Sequence, residues 1–319
     1  MPLVLGIDEA GYGPTLGPLA VASTLWRIPA EAVRADLWTL LDGAVCRGAR
    51  RGEWRLRVDD SKSAYDRHKG LHTLERTVLS FVRAAGCAAE TLDELLAAIC
   101  PAPPSADAAP WYADLHTPLP LDARTGAIQS ITRRLESQLG AADVRCVALT
   151  VEIVSEPHFN RRVANTRSKA AVLIEYVLRL IARAGRTAGD RTLIVRCDRL
   201  GGRTNYLRHL QAAFPERALT ILPGEDDASR YRLSTATSDW FVEFSTKADA
   251  SHLPVALASM LAKYAREALM ERFNAYWRKW LPDLRPTAGY YVDAQRFLGD
   301  IAPVLARSGL RRAQFVRSR

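Results

Sequence analysis

The sequence predicts an α/β fold built on a mixed central sheet flanked by helices, and three observations carry that reading. Short apolar, β-rich runs alternate with segments whose apolar residues recur at helical spacing. The first two runs, "LVLGID" (3–8) and "PLAVASTLWRI" (18–28), are joined by a turn too short for a parallel crossover, so they pair antiparallel. Two later runs, "VRCVALTVEIV" (144–154) and "RTLIVRCD" (191–198), each follow a helical stretch, and the second ends in an acid.

In chain order, the strand at 3–8 opens into a bend through Gly11 and Gly13, and the strand at 18–28 follows it. An apolar helix, "AEAVRADLWTLLDG" (30–43), is closed by Gly43. "CRGARRGEWRLRV" (46–58) packs five arginines into an irregular stretch. Leu71, Leu74, Val78, Phe81 and Val82 place a helix over about 66–85. Residues 101–125 hold six prolines and no periodicity, so they form a loop or insertion. A helix near 126–140 leads to the strand at 144–154. One long helix through "NTRSKAAVLIEYVLRLIARAG" then stops at Gly185. After the strand at 191–198 come a helix at about 203–213, a short strand "ALTILP", and two strands at 229–235 and 239–245. The longest helix runs over 253–280, and another follows near 292–307. No internal repeat is visible.

At 319 residues the chain can bury a large core as one domain with insertions. No apolar run approaches the length of a membrane span. The opening residues lack a signal-peptide pattern, so the expectation is a cytoplasmic protein with no membrane partner. Five scattered cysteines form no C-x-x-C pair and read as reduced thiols. A net charge of +9 and a pI near 9.5 suit a polyanionic partner such as nucleic acid. Since arginines number 38 against 6 lysines in an Ala-rich chain, GC-biased codon usage is a competing source of that charge.

The chemistry concentrates in "GIDEAGYGPTLGP" (6–18). Neighbouring side chains on a strand point to opposite faces, so Asp8 and Glu9 converge only if the strand ends between them and the backbone turns. Gly11 and Gly13 permit that turn and leave room for a ligand. Asp198 ends the β-run "TLIVRCD" and is followed by Gly201 and Gly202. Acids at neighbouring strand ends of an α/β sheet face one crevice. Read alone, Asp198 is equally a plain strand-ending acid. With Asp8 and Glu9 it suggests a cage for hard divalent cations. On the helix "VALASMLAKYARE", Ala256, Met260, Lys263 and Glu267 share a stripe. The bland reading of Lys263 and Glu267 is a surface ion pair.

These residues resemble a known family. "GIDEAGYGPTLGPLAVAS" resembles the opening of the type 2 ribonucleases H (ribonuclease HII), whose first strand ends in Asp-Glu-Ala-Gly-Arg-Gly. "DDSK" (59–62), with Ser61 and Lys62, is similar to that family's Asp-Ser-Lys segment, and "LIVRCD" to the strand bearing its third acid. "KADASHLPVALASMLAKYARE" (247–267) resembles its Gly-Asp…Ala-Ala-Ser-Ile-Leu-Ala-Lys block. "AGYYVDAQRF" and "GLRRAQF" loosely resemble its C-terminal pieces. The resemblance implies a divergent member with a ribonuclease H-like fold and a helical C-terminal extension. It implies an endonuclease that cuts the RNA strand of RNA–DNA hybrids, or embedded ribonucleotides, with two divalent ions, Mg²⁺ or Mn²⁺. Asp8, Glu9, Asp198 and Glu267 take the places of its catalytic, metal-binding acids. Gly11, Tyr12, Gly13, Ser61, Lys62, Lys263 and Tyr290 take nucleic-acid-binding places. The expected organisation is a catalytic domain at 1–285, with insertions near 46–57, 101–125 and 224–245. An extension with a basic tail at 286–319 follows, in a chain expected to be monomeric.

Departures from the family pattern keep alternatives open. Tyr12 replaces the arginine of a turn that clasps ribose–phosphate, although backbone N–H groups around Gly11 and Gly13 can still hold a phosphate. Glu267 replaces an aspartate, and the C-terminal histidine is absent, with Asp293 to Gln295 nearby. A nucleic-acid-binding relative with weakened turnover, or a DNA nuclease, is therefore the alternative. Asp226 and Asp227 are alternative metal acids or part of a solvated loop. His68 and His72 have i,i+4 spacing but lack the glutamate of a His-Glu-x-x-His site. Trp54 among arginines suits base stacking or an exposed hairpin. The last residues, rich in arginine, read as a phosphate-touching arm or a frayed tail.

Overall fold

The computed structural model describes residues 1–48, 52–65, 70–224 and 227–318. Its strands are β1 (Leu3–Ala10), β2 (Leu19–Arg27), β3 (Val45–Cys46), β4 (Leu56–Arg57), β5 (Arg145–Val154), β6 (Leu193–Asp198), β7 (Ala218–Leu222), β8 (Ala228–Ser234) and β9 (Asp239–Ser245). Its α-helices are α1 (Leu37–Leu40), α2 (Ser61–Ala64), α3 (His72–Ala84), α4 (Leu92–Ile99), α5 (Thr125–Ala141), α6 (Glu156–Thr166), α7 (Lys169–Ala188), α8 (Leu207–Ala213), α9 (Ala248–Ser251), α10 (Leu253–Arg278) and α11 (Tyr291–Leu305).

Seven strands form one mixed sheet in the order β5-β2-β1-β6-β9-β8-β7. β2 runs antiparallel to β1 and β5, whereas β1, β6 and β9 are parallel. This is the mixed, helix-flanked sheet with a helical C-terminal extension that the sequence predicts. Period-2 alternation divides β1 between two cores. Leu3, Leu5 and Ile7 face α7, and Val4 faces the cluster containing α3 and α10. α10 lies close on β1 because Gly6 carries no side chain. A Cβ there would strike the Pro254 backbone, and Thr24 Oγ1 donates to the Pro254 carbonyl at 2.7 Å.

Several predicted elements differ in extent, each for a local reason. The helix expected over 30–43 is a short 3₁₀ turn followed by α1, because Asp36 restarts the helix by accepting the Trp38 N–H at 3.0 Å. The single helix ending at Gly185 is two helices. Arg167 takes the left-handed φ of 53°, and Ser168 then caps α7 by accepting the Ala171 N–H at 3.2 Å. α7 passes through Gly185, whose missing side chain makes room for the Trp240 ring. The proline-rich loop inserts Trp111 and Tyr112 into the core.

Candidate functional site

β1 pairs with β2 as far as Ala10 but with β6 only as far as Ile7–Cys197. Asp8 and Glu9 thus lie past the end of the β1–β6 ladder, where the sheet opens. The strand does not end between the two acids, as the sequence requires; the ladder beside it ends instead. Asp198 closes β6, and its Oδ1 accepts the Ala248 N–H at 2.9 Å, which ties α9 to the strand end. Asp8, Glu9 and Asp198 line one cleft of about 250 Å³ with Gly11, Tyr12, Gly13, Ser61, Lys263 and Tyr290. Asp60 and Asp249 line it too. Sequence reasoning assigns a role to neither of these two acids, and Asp249 is the one nearest in sequence to the strand-end contact of Asp198 with Ala248. Its signal is its place in "KAD", at the head of the block resembling the family's Gly-Asp segment.

Burial, then the neighbouring carboxylates of Glu9 and Asp198, push the Asp8 carboxyl well above its ordinary range, against a hydrogen bond from Ser259. Ser259 on α10 also hydrogen-bonds Ser61 on α2, Oγ to Oγ at 3.0 Å, joining the "DDSK" segment to the cleft. Among the described residues no three His, Cys, Asp or Glu side chains are arranged as they stand to hold a metal ion. The donors nevertheless suit Mg²⁺ or Mn²⁺ chemically. They are hard carboxylate oxygens whose ionised form is disfavoured at Asp8 by burial and then by neighbouring carboxylates, a cost that a divalent cation would relieve.

Glu267 is placed differently from the other three acids. It is buried outside the cleft lining, where Oε1 accepts from Lys263 Nζ at 2.8 Å and Arg266 Nη1 at 3.0 Å, and Oε2 accepts from Tyr65 at 3.1 Å. Burial works to raise its pKa, but Arg266 and Lys263 prevail and hold it below the ordinary glutamate value. The Lys263–Glu267 pair is thus an internal bridge, and it aims Lys263 at the cleft.

Two arginines hold the glycine turn from within. Arg266, fully buried, donates through Nη2 to the carbonyls of Leu16 at 3.2 Å and Ala288 at 2.9 Å. Gly11, at φ 86°, lies directly against the Arg266 side chain, and a Cβ there would clash. Arg317 donates to the carbonyls of Gly11 and Tyr12, and its guanidinium sits 3.9 Å from the centre of the Phe159 ring. Burial, then Arg266, lowers the Arg317 pKa to about 9. The tail is therefore docked as far as Ser318, whose N–H donates to Asn160 Oδ1 at 2.7 Å. Tyr12 rests against Gly201, just past β6, and Tyr290 is half exposed at the cleft.

The other sequence signals fall elsewhere. His72 is exposed at the start of α3, and Asp227 is not among the residues lining the cleft, its carbonyl accepting the Thr246 N–H at 3.1 Å. Trp54 is exposed, with the Arg134 guanidinium 4.3 Å from the ring centre. His68, Asp226 and the Lys62 side chain lie outside the described residues.

No protein-family model matches the chain, and no curated protein matches it. Solved structures similar to it include a chain of the PCNA:RNase HII complex from Archaeoglobus fulgidus, 16% identical, with a TM-score of 0.42 over 99% of this chain and 94% of that one. Bst-RNase HIII in complex with Mn²⁺ is 15% identical, with a TM-score of 0.48 over 99% of this chain and 66% of that one. Ribonuclease H2 from Pyrococcus horikoshii OT3 is 15% identical, with a TM-score of 0.46 over 98% of this chain and 92% of that one.

Proposed function

We propose that the chain is a metal-dependent endonuclease of the type 2 ribonuclease H kind, acting on the RNA strand of RNA–DNA hybrids or at embedded ribonucleotides. One observation carries the reading. The adjacent pair Asp8 and Glu9 and the sequence-distant Asp198 line a single cleft with a glycine turn and Lys263. Asp8, Glu9, Asp198 and Asp249 would hold the cations. What paired Mg²⁺ or Mn²⁺ supplies when bound is activation of a water and stabilisation of the leaving oxygen. The backbone N–H groups of the turn, held by Arg266 and Arg317, would receive a phosphate. Lys263 adds a cation fixed by Glu267, and Tyr290 offers a ring face to a sugar or base. Glu267 acts on this reading by positioning Lys263.

The test is incubation of the folded chain with an RNA–DNA hybrid, a duplex carrying one ribonucleotide, and an all-DNA duplex. Each is run with Mg²⁺, Mn²⁺ or EDTA. Metal-dependent cutting of either ribose-containing substrate, lost in Asp8→Asn, is the expected result. Cutting of the all-DNA duplex would assign a DNA nuclease. No cutting of any substrate by folded protein would sink the proposal in favour of a binding relative, the reading that Tyr12 favours by removing a cation from the turn.

A further inference from the structure

α10 covers the sheet over β1 and β2 but leaves the same face of β6, β9 and β8 open. A cavity of about 950 Å³ lies there, bounded on one side by the start of α10. Strand alternation sets its floor, since Ile194 and Arg196 on β6 and Phe241 and Glu243 on β9 point opposite to the α7 core. Two of the insertions visible in the sequence converge on it: 46–57 contributes Arg47, and 224–245 contributes Arg230, Phe241 and Glu243. Its volume lies within the roughly 300–1,000 Å³ range of small-molecule sites.

The lining has two chemistries. One part is apolar, with Val4 and Ile194 beside Phe241, a ring that is 36% exposed. The other is cationic: even without Arg230, the guanidiniums of Arg34, Arg47 and Arg196 outnumber the carboxylates of Asp36 and Glu243 among the described lining residues. Glu243 lies 2.6 Å from both Arg196 Nη1 and Arg230 Nε and 3.8 Å from His252 Nε2. One carboxylate thus faces three cationic or titratable partners. The Arg47 guanidinium lies 3.5 Å from the centre of the Trp38 ring and 3.8 Å from Asp36, which holds it at the rim. Arg34 is exposed and makes no ion pair among the described residues. The first turn of α10 adds its N-terminal dipole, which favours an anion.

We propose that this cavity is a second binding site, separate from the acidic cleft, for an unstacked nucleoside phosphate. The phosphate lies against the arginines, and the base lies on Phe241 and Ile194. A bare phosphate would leave the apolar floor uncovered, and an apolar ligand would leave the guanidinium excess unanswered. A nucleotide satisfies both. Its source is either a free nucleotide or the unpaired nucleotide of a strand, and neither depends on the chain being a nuclease.

The test is equilibrium binding in EDTA, by calorimetry with AMP and by fluorescence anisotropy with a 5′-phosphorylated, single-stranded oligothymidylate. Binding of AMP assigns the free nucleotide, and binding of the oligonucleotide alone assigns the strand; both support the site. Arg34→Glu with Arg47→Glu, at exposed positions, is expected to weaken whichever binds at least tenfold. Phe241→Ser should weaken it with the arginines intact, and Asp8→Asn should leave it unchanged. The proposal is overturned if neither probe binds or if the arginine variant binds like wild type. It is also overturned if Asp8→Asn abolishes binding, which assigns the ligand to the cleft. A dimer in sedimentation that the arginine variant dissociates would assign this face to a second copy and overturn it too. Because cation and cutting are absent from these measurements, their failure is distinct from failure of the nuclease reading.

Discussion

Glu267 accepts hydrogen bonds from Lys263, Arg266 and Tyr65, whereas Asp249 stands in the cleft lining, and the two acids should fail differently when changed. Removing one partner of a buried charge network leaves the others uncompensated, so Glu267→Ala should cost about 3–5 kcal/mol in denaturant unfolding. Asp249→Asn should leave stability nearly unchanged and reduce hybrid cleavage at least about 100-fold, since several kcal/mol of transition-state stabilisation ride on metal-bound charge. An unchanged melting curve for Glu267→Ala would remove the structural role assigned to it. Glu156 yields a pH prediction away from the cleft. Burial raises its pKa to about 7, while Tyr112 donates to Oε2 at 2.9 Å, and Oε1 finds no partner among the described residues. The folded chain holds this proton more tightly than the unfolded one. Its stability contribution is therefore full below the unfolded value of 4.5 and is lost as pH rises towards 7. The contribution is about 3 kcal/mol at most, from the size of that shift. Glu156→Gln should flatten unfolding free energy across that window, and an unaltered pH profile would refute the assignment.

Among the elements, the C-terminal segment governs the glycine turn. Val316 forms an isolated antiparallel bridge to Leu16, the Arg317 N–H donates to the Thr15 carbonyl at 2.8 Å, and Phe315 is buried among aromatic rings. Arg317→Ala strips donors from the carbonyls of Gly11 and Tyr12, so it should destabilise the chain by about 1–3 kcal/mol, the cost of unpaired buried acceptors. It should also raise KM for the hybrid more than it lowers kcat, with Arg317→Lys restoring part of the affinity. Equal loss of both constants with no rescue would mean a folding defect alone. The sequence could not supply this docking, because a run of arginines reads alike whether it is solvated or buried. The long helix α10 and the strand β5 are legible from the length and composition of their apolar runs, and β6 from its alternating burial. The four-residue helices α1, α2 and α9 and the two-residue strands β3 and β4 are too short for any period to show. Gly185 misleads for a related reason: it serves a contact between α7 and Trp240 on β9, distant in sequence, which no local pattern encodes.

At the scale of the whole molecule, Asp8, Glu9 and Asp198 are legible because each closes an apolar β-run, and strand ends converge wherever parallel neighbours share a sheet. Asp249 is less so. It stands on one turn of helix that the Asp198 contact to Ala248 ties to the strand end. The gathering of these acids has a global consequence. Burial, and then the carboxylates of Glu9 and Asp198, disfavour the ionised form of Asp8 in the folded state, and a divalent cation bound only by the folded state would offset that penalty. Binding to the native state alone stabilises by about 2.7 kcal/mol at a ligand concentration 100-fold above Kd. Adding Mg²⁺ or Mn²⁺ to EDTA-treated protein should therefore raise the melting temperature in a saturable way, with no substrate present. Asp8→Asn should melt at or above wild type in EDTA, because a crowded carboxylate has gone, and should lose most of the metal-induced rise. Glu267→Gln should keep the rise even though it melts lower throughout. A metal-induced rise equal in wild type and Asp8→Asn would place the cations elsewhere and detach the cleft from metal chemistry.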